Sequence, residues 1–141
     1  MPDLLVRLLL APVLIGQGRW VRRVTPKLPE PSGERHGDVG SGPVLRLLIL
    51  GDSAAAGVGV TDQRDALSGQ LLRALSARYR VIWKLEARTG RTTDELLRLL
   101  EGMPAEPFDV VVTSVGVNDV TTMVDPHAWL ASQNKLVRVL A

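Results

Sequence analysis

At 141 residues, 45% apolar and 23% charged, the chain has the balance of one globular domain, which excludes a disordered or fibrous protein. Cysteine is absent, so a disulfide framework, a thiolate nucleophile and a cysteine-ligated metal are excluded. The net charge of +2 is unevenly spread, with six basic and four acidic residues in 1–42 and eleven of each in 43–141.

Residues 4–15 read LLVRLLLAPVLI, followed by GQGRWVRR. The apolar run is shorter than the ~20 residues a bilayer span requires. It is also a poor secretory signal, because Asp3 precedes it without Lys or Arg, Arg7 interrupts it and no small-x-small cleavage site follows. Residues 1–24 are therefore expected to form an amphipathic helix. It could lie in a membrane interface, with leucines at the acyl boundary and Arg19, Arg22 and Arg23 near lipid phosphates, or pack on its own domain or a partner. A cytoplasmic or peripheral membrane location is favoured. The basic residues lack interleaved stacking aromatics, so nucleic acid is not an expected partner. Residues 25–43, TPKLPEPSGERHGDVGSGP, have a linker composition that would leave His36 exposed and inert.

A domain is expected over 44–141. VLRLLIL (44–50) is a short apolar run stopped by Gly51, which predicts a buried strand. Helical spacing recurs over 64–79, and RVIWKLEA (80–87) predicts a second strand. Thr92 or Thr93 can cap the helix DELLRLLEG, which has Asp94 and Glu95 in its first turn. FDVVVTSVG (108–116) is the most β-branched run in the chain and predicts a third strand. Asp125-Pro126 then reads as an N-cap and first-turn proline for a helix to the C-terminus. The β-α-β-α-β-α order implies a parallel sheet covered by helices on both faces, with ligands bound at the carboxyl ends of the strands.

Three strand ends matter on that reading: GDS after the first strand, ARTG after the second and GVND after the third. The glycine-rich stretch GDSAAAGVGV lacks the Gly-Lys-Ser/Thr of a phosphate loop. Its Gly57-Val58-Gly59 sits too late for a dinucleotide fingerprint, which argues against a nucleotide cofactor. A serine at a strand tip followed by Ala54, Ala55 and Ala56 suits acyl transfer instead, because small neighbours leave room for an acyl group and an oxyanion.

Gly51-Asp52-Ser53, Gly90 and Gly116-Val117-Asn118-Asp119 resemble, in order, the first three blocks of the SGNH (GDSL-type) hydrolases, over about residues 45–141. The resemblance implies a flavodoxin-like, three-layer α/β/α fold with a parallel sheet of order 2-1-3-4-5. About three of its five strands would be present here. It further implies that Ser53 is the nucleophile and that the Ser53 amide, the Gly90 amide and the Asn118 side chain form an oxyanion hole. Esters or thioesters of lipids or other acyl compounds would be the substrates, with no metal or cofactor. Asp52 and Asp119 are expected to make supporting hydrogen bonds.

The family's last block, an Asp-x-x-His whose histidine is the general base, has no counterpart in the 141 residues. Asp125-Pro126-His127 has neither the spacing nor the location. The expectation is an acylhydrolase without that block, C-terminally truncated or else a natural short form, with impaired activity and a third strand open to self-association. Alternatives are a non-catalytic acyl- or glycan-binding domain tethered to a membrane, and a flavodoxin-like nucleotide binder.

Overall fold

The structure, a computed structural model, describes residues 2–141 apart from the side chains of residues 2–5, 7, 8 and 22; Met1 of the expected N-terminal helix lies outside it. Strands β1 (His36–Val39), β2 (Val44–Gly51), β3 (Arg80–Ala87) and β4 (Val110–Ser114) form one open sheet in the order β1-β3-β2-β4. β2 runs parallel to both its neighbours, and β1 is antiparallel on β3. The helices are α1 (Pro2–Val24), α2 (Ser53–Ala56), α3 (Leu67–Leu75), α4 (Thr93–Gly102), α5 (Val117–Thr121) and α6 (Pro126–Leu140). The fold is therefore α/β, with the three expected parallel strands adjacent in the order β3-β2-β4.

The period-2 geometry of a strand explains why β2 is apolar throughout. Leu47 and Ile49 point to one face, where they meet Val81, Trp83 and Leu85 of β3, Ala55 and Ala56 of α2 and the leucines of α3. Leu48 and Leu50 point to the other, against Leu96 and Leu97 of α4 and Leu136 of α6. Each such leucine removed from water contributes about 1.5–3 kcal/mol, so this one strand nucleates two cores. β3 is apolar on one face only, since Ile82 and Lys84 on the other are not buried.

Caps fix where the helices start. Thr92 and Glu95 form a reciprocal capping box at the head of α4. Asp125 accepts from the His127 and Ala128 backbone amides at 2.9 and 3.1 Å, with Pro126 in the first turn of α6. The helix expected over 64–79 is split. A 3-10 turn (Gln63–Asp65) precedes α3, Ala66 between them is extended, and Gly69 lets α3 close onto the Arg64 carbonyl. The third strand is also shorter than expected. Asp109 sits just before it, its carboxylate accepting from the Arg46 amide at 2.7 Å while its own amide donates to the Arg46 carbonyl.

The largest correction concerns residues 25–43. They are not merely a linker, because His36–Val39 pairs with Val81–Lys84 as a fourth strand. Gly37 lies close over the Trp83 indole and Asp38 pairs with Arg80 at 2.5 Å. Ladder hydrogen bonds and an ion pair, rather than buried side chains, hold this strand. His36 is exposed on it.

α1 stands apart in character. Leu9 is 76% exposed and Trp20 64%, and Val13, Leu14, Ile15 and Val21 are exposed as well. Among the described residues no helix is long and apolar enough to cross a membrane.

Candidate active site

Parallel pairing brings three strand ends to one level. Gly51 of β2 is in register with Ala87 of β3 and with Ser114 of β4. Just beyond that level the backbone is stitched across: the Asp52 amide donates to Ser114 O at 2.9 Å and the Arg88 amide to Gly51 O at 3.2 Å. Ser53, Gly90 and Asn118 follow within two to four residues of these stitches, each on a different strand's exit.

Gly51 is required by close packing. A Cβ there would overlap the Ser114 carbonyl and lie 2.7 Å from the Ala55 Cβ. The chain then turns at once into α2, whose first residue is Ser53 and whose N-cap is Asp52, with its carboxylate accepting from the Ala54 amide at 3.0 Å. Asp52 is buried, whereas Ser53 is partly exposed. Among the described residues, no side chain hydrogen-bonds the Ser53 hydroxyl. Gly57, in the left-handed conformation at φ 90°, ends α2 after a single turn.

Gly90 has φ 85° and nothing within 4 Å of where a Cβ would stand, so conformation rather than space calls for glycine there. The next residue, Arg91, is buried and donates to Glu86 O at 2.7 Å. Burial holds its guanidinium pKa below the usual arginine value.

Asn118 lies in α5, and its Nδ2 donates to the Arg91 carbonyl at 3.0 Å, which ties the third strand's exit to the second's. One of its two amide hydrogens is thereby committed, leaving the other. Asp119 makes the same tie at depth. It is 4% exposed, and its carboxylate accepts from the Thr93 amide at 3.1 and 3.2 Å and from Thr93 Oγ1 at 2.9 Å. Gln133 of α6 donates to the same Thr93 hydroxyl at 3.0 Å.

Sequence reasoning missed Glu30. Its Oε1 accepts from the Thr89 amide at 2.6 Å and from Thr89 Oγ1 at 2.8 Å, immediately before Gly90, and its Oε2 pairs with Arg35 at 3.0 Å. Desolvation raises the Glu30 pKa, but the bonds from Thr89 and Arg35 outweigh it and hold the carboxyl below its ordinary value. No local signal marks this residue, which reaches Thr89 across 59 positions.

The histidines stay outside this constellation. His127 is exposed in the first turn of α6, and His36 is on β1. Among the described residues no group of three or more His, Asp or Glu is arranged to hold a metal ion. A cavity of about 250 Å³, lined by Gln63, Ser68, Leu72 and Trp83 among others, includes none of the three strand-end residues.

Residues 49–141 match the family model described as the GDSL-like lipase/acylhydrolase family. The chain belongs to that family. The solved structures that resemble this GDSL-like chain include these two. One is AlinE4, an SGNH-hydrolase family esterase, at 25% identity and a TM-score of 0.53, covering 71% of this chain and 56% of that one. The other is TesA, at 26% identity and a TM-score of 0.51, covering 66% of this chain and 54% of that one. The GDSL-like chain thus spans about half the length of the solved structures it matches. No curated protein matches it.

Proposed function

We propose that the three strand ends form the electrophile-binding half of a serine acylhydrolase site acting on ester or thioester bonds. The observation that carries this reading is the stitching of Ser53, Gly90 and Asn118 onto adjacent parallel strands by the Asp52–Ser114, Arg88–Gly51 and Asn118–Arg91 hydrogen bonds. Ser53 Oγ would bond to the acyl carbon while the carbonyl π pair moves onto oxygen. The Ser53 amide, the Gly90 amide and the free Asn118 N–H would receive that oxyanion, an arrangement worth about 10²–10³ in rate per donor. Collapse then expels the alcohol or thiol, and water releases the acid.

The Ser53 proton needs an acceptor, and a serine hydroxyl is a weak nucleophile without one. No hydrogen-bonded base accompanies it among the described residues, so slow turnover by the 141 residues is expected. Acylation is therefore the informative readout. Mass spectrometry after exposure to a fluorophosphonate probe, with imidazole as an external base, should find the adduct on Ser53 and none on Ser53→Ala. No adduct at Ser53 under any imidazole concentration would refute the catalytic reading and leave a non-catalytic acyl- or glycan-binding domain.

A second reading concerns α1, which we propose rests on an anionic lipid surface. Its exposed apolar side chains are joined by four arginines and a single acidic residue, Asp3, within Pro2–Val24, so both the acyl boundary and lipid phosphates are complementary to it. The chain should sediment with phosphatidylglycerol-containing vesicles, less so with phosphatidylcholine alone, and Leu9→Asp/Leu14→Asp should abolish it. Binding that ignores lipid charge, or self-association through α1 without lipid, would overturn this reading.

A further inference from the structure

We infer that Glu30 is a positioning residue for the Gly90 amide, and that the segment around it is a strap locking the two halves of the proposed oxyanion hole in register; the inference rests on the acylhydrolase reading above. Its basis is a pair of grips. Toward the second strand's exit, Glu30 holds the backbone and the hydroxyl of Thr89 with one carboxylate oxygen, at 2.6 and 2.8 Å. Arg35, paired with the other oxygen, donates to the Ala87 carbonyl, and its own carbonyl accepts from the Leu85 amide at 2.7 Å. Toward the first strand's exit, the Ser32 amide donates to Thr61 O at 3.2 Å, and Ser32 O accepts from the Gln63 amide at 2.7 Å. Pro31 between them is buried, 3.1 Å from where a Cβ on Gly57 would stand.

The turn needs such a grip. Arg88, Thr89 and Gly90 are exposed, and the turn's own backbone bond, from the Arg91 amide to the Arg88 carbonyl at 3.2 Å, does not involve the Thr89–Gly90 peptide. The plane that carries the Gly90 N–H is set by the backbone of Thr89. Two donors of Thr89 on a single oxygen fix both that backbone and its side-chain rotamer. The strap thus decides where the Gly90 amide points, although Glu30 itself need touch no substrate. Preorganisation of this kind is what separates a donor aimed at developing charge from one that must reorient during the reaction.

The test compares wild type, Glu30→Ala and Glu30→Gln by amide NMR and by the rate of Ser53 acylation in imidazole. Gln keeps an acceptor oxygen for Thr89; Ala keeps none. In Glu30→Ala, hydrogen-exchange protection of the Thr89 amide should be lost and the Gly90 resonance should move, with the amides of Leu48 and Leu96 unchanged as a check on the fold. Acylation should fall about tenfold, a fraction of the loss expected from deleting a donor outright, and Glu30→Gln should recover most of it. Unchanged Thr89 and Gly90 amides in Glu30→Ala, or moved amides with unaltered acylation, would overturn the inference. If wild type shows no acylation at all, the acylhydrolase reading fails, and the amide spectra alone decide whether Glu30 holds the turn.

Discussion

Asp119 is expected to be the most costly polar residue to remove. It lies beside the head of α4, whose first amides have no partner within the helix. Thr92 and Glu95 satisfy some of these locally, and Asp119 supplies an anionic acceptor to Thr93 from another part of the chain. The direction of each bond is fixed. Gln133 donates to Thr93 Oγ1, so the Thr93 hydroxyl proton goes to Asp119. Asp119→Ala therefore strands two donors of a residue that is 0% exposed. Hydrogen bonds to a charged acceptor contribute about 1.5–3 kcal/mol each, so the loss should be about 3–5 kcal/mol after some relaxation. For a domain near 100 residues that is a fall in melting temperature of at least ~12 °C. Asp119→Asn keeps one oxygen but turns an NH2 toward the second donor, and should cost about 2 kcal/mol. Urea titration with a double-mutant cycle against Thr93→Val measures the coupling directly. A loss below about 1 kcal/mol for Asp119→Ala would refute the account, because it would mean water replaces the carboxylate without penalty.

Two glycine substitutions should behave oppositely. Gly51→Ala forces a Cβ into the Ser114 carbonyl and should leave little folded protein in a thermal melt, whereas Gly90→Ala meets nothing within 4 Å and should cost only the ~1–2 kcal/mol of a left-handed backbone. Acid sensitivity follows from lowered carboxylate pKa values. The Glu30 pKa lies below its ordinary 4.5, so its stabilisation is complete above that value and is lost as pH falls through the lowered one. Asp62, held by Arg64 and pushed down from 3.8 to about 2, follows the same sign at lower pH. Urea midpoints should be flat from about pH 7 to about pH 5 and then decline, and the Glu30→Gln chain should lose less between about pH 5 and about pH 3 than wild type.

The three parallel strands are legible in the sequence because β2 and β3 carry apolar runs that answer to burial and β4 carries a β-branched run, all local signals. The same holds for the Thr92 cap and the Asp125-Pro126 helix start, where the residue that matters is beside the structure it makes. β1 is not legible for the opposite reason. HGDV has no apolar period, and its strand exists only because β3 offers a ladder to pair with. α2 is likewise hidden, since one turn of SAAA is too short for any periodicity. At the site, the family blocks point to Ser53, Gly90 and Asn118. They do not show that Asn118 gives one hydrogen to Arg91, nor that Glu30 reaches Thr89. Those relations join distant positions through space, and only folded geometry records them.

The two edges of the sheet differ in a way that bears on stoichiometry. β1 ends one side with four residues, one a glycine and one a salt-bridged aspartate, while β4 ends the other with VVVTS. Short charged edges resist pairing and apolar ones invite it. A molecule with one adhesive edge and one blunt edge has valence one. We propose that a second copy accepted along β4 would complete a closed pair with no site for a third, so that pairing along this edge stops at two.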